Sequence, residues 1–309
     1  MRTKEMIRGR VGPLATAMAL ALAFSAAHAA AAVPGDVTLT VTAVPKKNAT
    51  TPALARDDVQ FFVNKERTQI ANWRRSETLY LAVLIDDSLN PTVAGQWNDL
   101  KEFFNNQPPS AYIAVFYARN GVAMLAQDFT NDHKLATKAL RIPVGGGAFS
   151  SPYLALQDLM KRFPGAPTDR RSILLVSSGI DYLRGNFPSS TDLDSTTERA
   201  QKQNINVWAI YSPDGGRRSR GFFLANRAQS DLTRLSDATG GRAYYLGTNA
   251  PVTFGPYLQE ISAHLRNQYL LSFRGSGGAK GRFEREKIAT ELPRLGFLAP
   301  SQVFLPAQK

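Results

Sequence analysis

A short polar turn, Asp86-Asp87-Ser88-Leu89-Asn90, follows the apolar run of residues 79–85. It places a carboxylate, a hydroxyl and an amide on alternate residues, at the point where a buried strand must end. Oxygen donors at positions one, three and five of a loop can converge on one hard cation such as Mg²⁺, Ca²⁺ or Mn²⁺. The turn therefore predicts either a divalent-cation site or a surface that binds the carboxylate of a partner.

The composition of the chain limits the classes of protein to which it can belong. Its 309 residues, 43% of them hydrophobic, are enough for one large globular domain with a small appendage. The absence of cysteine excludes disulfides, thiolate metal sites and cysteine nucleophiles. The formal net charge of +12 favours acidic partners, anionic surfaces or simple solubility, and it does not choose among them.

The first 29 residues have the pattern of an export signal. Four basic residues precede an apolar run at 14–24, and Ala27-His28-Ala29 supplies small residues for cleavage after Ala29. The alternative is an uncleaved anchor over residues 11–32. Cleavage removes four bases and one acid, which leaves a net charge of +9 and no stable membrane span. We therefore expect a periplasmic or extracellular protein that does not bind nucleic acid.

From residue 79 onward, short apolar runs alternate with amphipathic segments of helix length. That alternation is typical of a parallel sheet covered by helices on both faces. The predicted strands are 79–85, 112–117, 173–177, 205–211 and 243–246, with an antiparallel return at 121–126. The predicted helices are 93–105, 132–140, 152–162, 196–203, 225–238 and 254–267. The sequence thus predicts an α/β fold with a doubly wound, mostly parallel sheet.

A small β appendage is predicted outside this sheet. Residues 36–43 alternate apolar and threonine side chains, which is the pattern of a half-buried strand. Residues 58–63 and 68–70 predict a hairpin with Asn64 in its turn. Segments 283–289 and 297–304 are expected to return and pair near the N-terminus. The predicted organisation is a signal peptide at 1–29, the appendage at 30–76, the α/β domain at 77–274 and a returning β segment at 275–309.

With these segments in view, the chain resembles a von Willebrand factor type A domain, specifically the secreted bacterial branch that carries a β hairpin before the domain. The resemblance covers most of residues 36–305 and rests on the order and spacing of four short segments. These are DVQFFV at 58–63, LIDDS at 84–88, LSDATGG at 235–241 and LRNQYLLS at 265–272. The resemblance implies a module for protein binding or adhesion.

The same resemblance implies a set of ion ligands at the carboxyl edge of the sheet. In that family a divalent cation lies in an acid-x-serine-x-serine turn, which a threonine and an aspartate from two other loops complete. Carried over residue by residue, Asp86 and Ser88 match the first two ligands. Asn90 stands in place of the second serine, and Ser150 in place of the threonine.

One departure from the family pattern weakens the implied site. Ser178 stands where the distal aspartate is expected, so the site loses a negative charge. Asp181 lies three residues further on and offers a replacement, while Asp87 should point away from Asp86 by strand alternation. We predict a degenerate site for Mg²⁺ or another divalent cation, or else a vestigial turn in which Asp86 accepts hydrogen bonds from the loop backbone.

Four arginines are predicted on the same edge. Arg184 follows one predicted strand, and Arg217, Arg218 and Arg220 follow the next. Since the βα loops of a parallel sheet share one edge, these guanidinium groups should lie near the polar turn. Arginine binds carboxylates in bidentate fashion, so they are candidates to hold an acidic group of a protein partner. The alternative is a solvated loop without a specific role.

Two adjacent aromatic residues follow the arginine-rich loop. Phe222 and Phe223 are expected in the core or at a strand end, as most aromatic side chains are. The alternative is an apolar anchor on the rim of a binding surface.

The sequence gives little support to an enzyme. It has neither a G-x-S-x-G nucleophile elbow nor a G-x-x-x-x-G-K-[ST] phosphate loop. After signal cleavage only His133 and His264 remain, so a hydrolase would need Ser88 or Ser178 to meet one of them through tertiary contact. We therefore expect a non-enzymatic binding module, with a metal-independent scaffold of an envelope complex as the alternative.

Overall fold

The computed structural model describes residues 36–46, 52–146, 151–183, 191–215 and 221–307. All of them fall in one compact unit, and the predicted signal peptide lies outside the described residues. The strands are β1 Asp36–Pro45, β2 Gln60–Val63, β3 Glu66–Arg67, β4 Ile70–Arg74, β5 Leu79–Asp86, β6 Ala111–Arg119, β7 Val122–Thr130, β8 Arg170–Ser177, β9 Ile205–Tyr211, β10 Ala243–Tyr244, β11 Gln268–Arg274, β12 Arg282–Ala289, β13 Leu295–Leu298 and β14 Gln302–Leu305. The helices are α1 Trp97–Asn105, α2 His133–Lys138, α3 Pro152–Met160, α4 Thr191–Lys202, α5 Phe222–Ala238 and α6 Gly255–Arg266, with 3₁₀ helices at Arg56–Asp58 and Pro91–Gln96.

Six strands form the central sheet, in the order β10-β9-β8-β5-β6-β7. All pair in parallel except β7, which returns antiparallel to β6 through a turn at Asn120 and Gly121, both with positive φ. Counted from β7, the order of these six strands along the chain is 3-2-1-4-5-6, the doubly wound arrangement. The predicted α/β fold and the antiparallel return are confirmed.

Side chains of β5 are buried on both faces of this sheet. Leu81 and Val83 belong to the core that α1, α2 and α6 cover, whereas Ala82 and Leu84 belong to the core under α3, α4 and α5. Burial on both faces explains why this strand is a nearly continuous apolar run in the sequence. Burial of β5 on both faces also fixes the position of the polar turn, because the apolar sequence ends where the strand emerges from between the two layers of helices.

Helix boundaries differ from the prediction at several ends. The helix predicted at 196–203 begins earlier, at Thr191, where Asp192 and Asp194 give it an acidic first turn that favours a helix N-terminus. The segment Pro91–Gln96 is a 3₁₀ helix before α1. Within the described ranges, no helix combines the length and apolar character needed to cross a bilayer.

The predicted β appendage is a sandwich of two four-stranded sheets. Their strand orders are β13-β1-β11-β4 and β14-β12-β2-β3, and apolar side chains of both sheets, such as Leu39, Phe61 and Phe273, share one core. As predicted, the C-terminal segment returns, with β13 on β1 and β12 on β2. The sandwich is larger than expected because β11 pairs with β1.

The predicted hairpin at 58–70 is wrong in its second strand. β2 turns at Asn64 and Lys65, both with positive φ, and pairs with the short strand β3. Ile70 begins β4, which pairs with β11 in the other sheet. A turn residue marks where the chain reverses, but it does not fix how long the returning strand stays in the same sheet.

The sandwich covers the amino edge of the central sheet. The backbone N–H of Thr40 in β1 donates to the side chain of Asn204, directly before β9, at 2.7 Å. Arg74 in β4 donates to the carbonyl oxygen of Thr168, shortly before β8, at 2.8 Å. The carboxyl edge is therefore the edge of the central sheet that the sandwich leaves open.

Candidate functional site

The carboxylate of Asp86 is the centre of the polar turn after β5, and Asp86 is completely buried. The hydroxyl and the backbone N–H of Ser88 donate to its Oδ1, at 2.7 and 3.0 Å. The hydroxyl of Ser177, the last residue of β8, donates to its Oδ2 at 2.7 Å. We call these three residues the Asp86 cluster. Because the strand order reverses between β5 and β8, the cluster occupies the position where doubly wound sheets bind ligands.

Ser177 is the residue of this cluster that the sequence analysis missed. In the parallel register Ile85 lies opposite Val176, so Asp86 and Ser177 end their strands side by side. The adjacent Ser178 is buried, and its hydroxyl accepts a hydrogen bond from the N–H of Ile180 at 3.3 Å. Consecutive strand residues point to opposite sides, so only the register decides which of the two serines faces the acid.

Asn90, predicted as a ligand, has a different local role. Its Oδ1 accepts hydrogen bonds from the N–H and the hydroxyl of Thr92, at 3.0 and 2.9 Å. Asn90 is thereby the N-cap of the 3₁₀ helix that begins at Pro91, a common position for asparagine before proline. Its side-chain hydrogen bonds are those of a helix cap and do not join it to the Asp86 cluster, and its backbone N–H donates to the carbonyl oxygen of Pro213 at 3.2 Å.

Backbone hydrogen bonds join three loops at this edge. The N–H of Gly215, in the loop after β9, donates to the carbonyl oxygen of Ser88 at 3.0 Å. The N–H of Gly145, in the segment after α2, donates to the carbonyl oxygen of Asp87 at 2.9 Å. These loops therefore form one continuous surface around the Asp86 cluster. We call residues 86–91, 119–122, 141–146, 178–183, 212–215, 221–223 and 245–253 the carboxyl rim.

Asp87 points to the other side of the strand, as strand alternation predicted, and forms an ion pair with Arg141. The two carboxylate oxygens accept from the guanidinium at 2.7 and 3.0 Å, and Oδ1 also accepts from the N–H of Val144 at 3.0 Å. The guanidinium lies 3.8 Å from the ring centroid of Tyr117. The hydrogen bond to Asp87 raises the pKa of Arg141. This Asp87 clamp, formed by Asp87, Arg141 and Tyr117, holds the segment 141–146 against β5.

Ser151 and Asp181 connect two further loops of the carboxyl rim. The Ser151 hydroxyl caps α3 by accepting from the N–H of Leu154 at 3.4 Å, and it donates to Asp181 Oδ2 at 2.9 Å. Asp181 Oδ1 accepts from the N–H of Leu183 at 3.1 Å. Asp181 was predicted as a replacement ion ligand, but its hydrogen bonds with Ser151 and Leu183 order the loops beside the Asp86 cluster.

Five predicted site residues lie outside the described residues. They are Ser150, Arg184, Arg217, Arg218 and Arg220. The ion ligand and the partner-binding arginines therefore stay predictions. Described residues that flank these positions, such as Gly146, Leu183 and Gly215, belong to the carboxyl rim.

The described oxygen donors do not supply the charge that a tightly held divalent cation needs. Within the Asp86 cluster only Asp86 carries a negative charge, whereas Ser88 and Ser177 supply neutral hydroxyls. Across the described part of the chain, no three His, Cys, Asp or Glu side chains are grouped to hold a metal ion. Hard cations are retained by ligand charge and ligand number, so these donors favour weak binding at most.

Both described histidines lie at the amino edge of the central sheet. His133 Nε2 is 3.0 Å from the carbonyl oxygen of Ala111, the first residue of β6. His264 lies near the end of α6, next to Leu265, whose carbonyl oxygen accepts from Arg170 at the start of β8. Burial lowers the pKa of His264. Neither imidazole is placed to act on the serines of the carboxyl rim.

Large apolar side chains are exposed mainly on the carboxyl rim. Phe222 and Phe223, the first residues of α5, are 66% and 87% exposed, so the expectation that they lie in the core is wrong. The buried face of α5 begins only at Ala225, which leaves both rings beyond the core. Further exposed apolar residues on the rim are Val122, Ile142, Val144, Leu183, Tyr245, Leu246 and Val252.

A cavity of about 410 Å³ lies between the aromatic pair and the polar turn. It is lined by Asn90, residues 213–215, Phe222 and residues 248–250, among others. Three separate loops and the first turn of α5 therefore surround one depression. Depressions flanked by aromatic side chains are typical of surfaces that bind other molecules.

Comparisons with known proteins give similar structures only. No protein-family model matches the chain, and no curated protein is significantly similar to it in sequence. An aerotolerance-related membrane protein from Bacteroides fragilis has a TM-score of 0.44 and 10% identity, over 61% of this chain and 98% of that one. BatB from Bacteroides thetaiotaomicron has a TM-score of 0.46 and 11% identity, over 61% and 97%. The SpRpn10 VWA domain has a TM-score of 0.34 and 14% identity, over 43% and 75%.

The family resemblance drawn from the sequence agrees with the observed topology. The sheet has the doubly wound strand order, its third strand in chain order is antiparallel, and the acidic turn follows its first strand at the switch point. The central sheet therefore has a fold like that of a von Willebrand factor type A domain.

Proposed function

We propose that this chain is an exported binding module that recognises a protein partner with its carboxyl rim. One observation carries the proposal: the sandwich covers the amino edge of the central sheet, and the open edge gathers the Asp86 cluster, a cavity and exposed apolar side chains. The role we propose is recognition without a reaction, because the described histidines lie at the other edge.

The group recognised on the partner is proposed to be acidic. Three acids of the carboxyl rim, Asp86, Asp87 and Asp214, are at most 5% exposed, so they present little negative charge to a partner. The loops that leave this edge carry Arg184 and the arginine triplet at 217, 218 and 220. Guanidinium groups bind carboxylates through paired, charge-assisted hydrogen bonds. In this proposal arginines take over a contact that an ion would otherwise make.

Site-specific photo-crosslinking in cells that export the protein tests which surface is used. A photoreactive residue in place of Ile142, exposed on the rim outside the aromatic pair, is expected to give an adduct with a discrete protein. The same residue in place of Glu66, exposed on the sandwich, is expected to give none. Arg217→Ala combined with Arg218→Ala should reduce the rim adduct by about tenfold, since two charge-assisted contacts are lost. Adducts of equal yield from both positions, or none from the rim, would contradict the proposal.

Divalent cations are expected to change the stability of the purified protein little. Because the Asp86 cluster supplies one carboxylate, millimolar Mg²⁺, Mn²⁺ or Ca²⁺ should raise Tm by less than about 1 °C. Thermal unfolding of the wild type and of Asp86→Ala, with chelator as the reference, measures this shift. A larger shift that disappears in Asp86→Ala would show that an ion is bound, and partner recognition through the ion would replace the arginine contact.

A further inference from the structure

We infer that the aromatic end of the carboxyl rim docks on an anionic lipid surface. This end consists of Phe222 and Phe223 on α5 together with Leu246 and Val252 in the loop after β10. The inference goes beyond the proposed function, because it places the partner-binding rim against a membrane surface. The Asp86 cluster, at the junction of β5 and β8, is a separate part of the same rim.

The apolar side chains of this end project from the molecule instead of lining a groove. Phe223 and Val252 are 87% and 88% exposed, and Leu246 is 64% exposed. Among the described residues of the sandwich, no large apolar side chain is comparably exposed. The two segments are neighbours, since Phe222 and residues 248–250 line the same cavity. The exposed apolar surface is thus concentrated at one end of the molecule, as it is in proteins that bind a partner or a membrane there.

The charge of this edge fits an anionic surface. Asp86 and Asp87 are completely buried, and Asp181 accepts the hydroxyl hydrogen of Ser151. Arg119 is exposed at the end of β6, and the five residues between Gly215 and Gly221 include three arginines. Segments 141–151 and 245–254 contain no acid. Basic residues near the surface of an anionic bilayer strengthen binding, and the effect falls with increasing salt.

Projecting apolar side chains together with basic charge favour lipid over a folded protein as the occupant of this end. A protein interface buries its aromatic anchors in fitted pockets of the partner, and that fit requires complementary shapes. A bilayer interface needs no such fit, because fluid lipid adapts to side chains that stand clear of the molecule. Phenylalanine and leucine beside arginine are the residues that interfacial membrane-binding segments use. Almost complete exposure of adjacent aromatic rings therefore suits insertion into the headgroup region.

Vesicle flotation of the mature protein tests the inference. Binding to phosphatidylcholine vesicles that contain phosphatidylglycerol should exceed binding to phosphatidylcholine alone by at least about tenfold, and salt should weaken it. Phe222→Ser combined with Phe223→Ser should reduce binding by about 100-fold, because two large apolar side chains no longer insert. The control is Leu125→Ser combined with Leu135→Ser. It removes two apolar side chains, 53% and 40% exposed, away from this end and should change binding less than about twofold.

A second measurement covers the case in which the serine variant folds poorly. Phe223→Trp changes a side chain that is 87% exposed, and its fluorescence, with the wild type subtracted, should shift to the blue on addition of anionic vesicles. No shift, equal binding to both vesicle types, or unchanged binding of the phenylalanine variant would overturn the inference. If the wild type does not bind vesicles and the phenylalanine variant loses the photo-crosslinked adduct, the aromatic end is a surface for a protein partner. Vesicle flotation reports on lipid binding and the photo-crosslink on the rim reports on a protein partner, so failure of the lipid inference and failure of the proposed function are distinguishable.

Discussion

Asp87→Ala should lower the free energy of unfolding by about 2 kcal/mol, because it removes a buried carboxylate that accepts hydrogen bonds from a half-exposed guanidinium and from a backbone N–H. Asp87 is completely buried and its two oxygens accept from Arg141 at 2.7 and 3.0 Å. Without the carboxylate, the guanidinium over Tyr117 has lost its counter-charge and the N–H of Val144 has lost its acceptor. Urea unfolding followed by circular dichroism measures the change.

A matched control and a double-mutant cycle make this prediction specific to the Asp87 clamp. Asp57→Ala removes an exposed acid that lies 3.4 Å from Arg56, and exposed pairs of this kind contribute little. Arg141→Ala in the Asp87→Ala background should cost little more than Asp87→Ala alone, since the interaction is already lost. Additive losses from the two substitutions would contradict the clamp.

Glu286→Gln should stabilise the protein at alkaline pH and have little effect in acid. Burial in the sandwich raises the pKa of Glu286 from 4.5 to about 8, and Oε2 has no hydrogen-bond partner among the described residues. Because the folded state holds this proton more tightly than the unfolded chain, the stability it contributes is fully present below pH 4.5. That stability is lost as the pH rises to about 8. Across this window the free energy of unfolding of the variant should therefore rise by about 2–4 kcal/mol relative to the wild type.

Unfolding of the wild type and of Glu286→Gln between about pH 5 and pH 9 tests both the sign and the size of the pH-dependent gain in stability. Glu284→Gln is a suitable control, because this acid lies two residues away on β12 and forms an ion pair with Arg282 at 2.5 Å. The control should not show a gain that grows with pH. If Glu286→Gln gives the same gain at every pH, ionisation of the carboxyl group is not its cause.

Much of the fold could be predicted because burial leaves a local trace in the sequence. The strand predicted at 205–211 is β9 without change, since each of its residues is buried and the run stops at polar neighbours. Pairing leaves a weaker trace. Nothing in residues 268–274 indicates that they join β1 in the sandwich, because the pairing depends on a partner from the other end of the chain. Dependence on a distant partner also explains why the return strand of the hairpin was predicted wrongly, since Ile70 in β4 pairs with β11.

The sequence predicted where the candidate site lies better than it predicted which residues form it. The end of an apolar run located Asp86 and Ser88. Ser177 was missed because its contact with Asp86 depends on the register of β5 and β8. Asn90 was placed among the ligands although its side chain caps the following helix, a local interaction that competes with any more distant contact.

The pairing of β1 has a consequence for the order in which the molecule forms. Both of its neighbours, β11 and β13, come from the far end of the chain, so a ribosome completes them long after β1 has emerged. Because contacts within the βαβ units of the central sheet are closer along the chain, we expect these units to form earlier and the sandwich to close last. Until then the nascent polypeptide lacks a closed second layer.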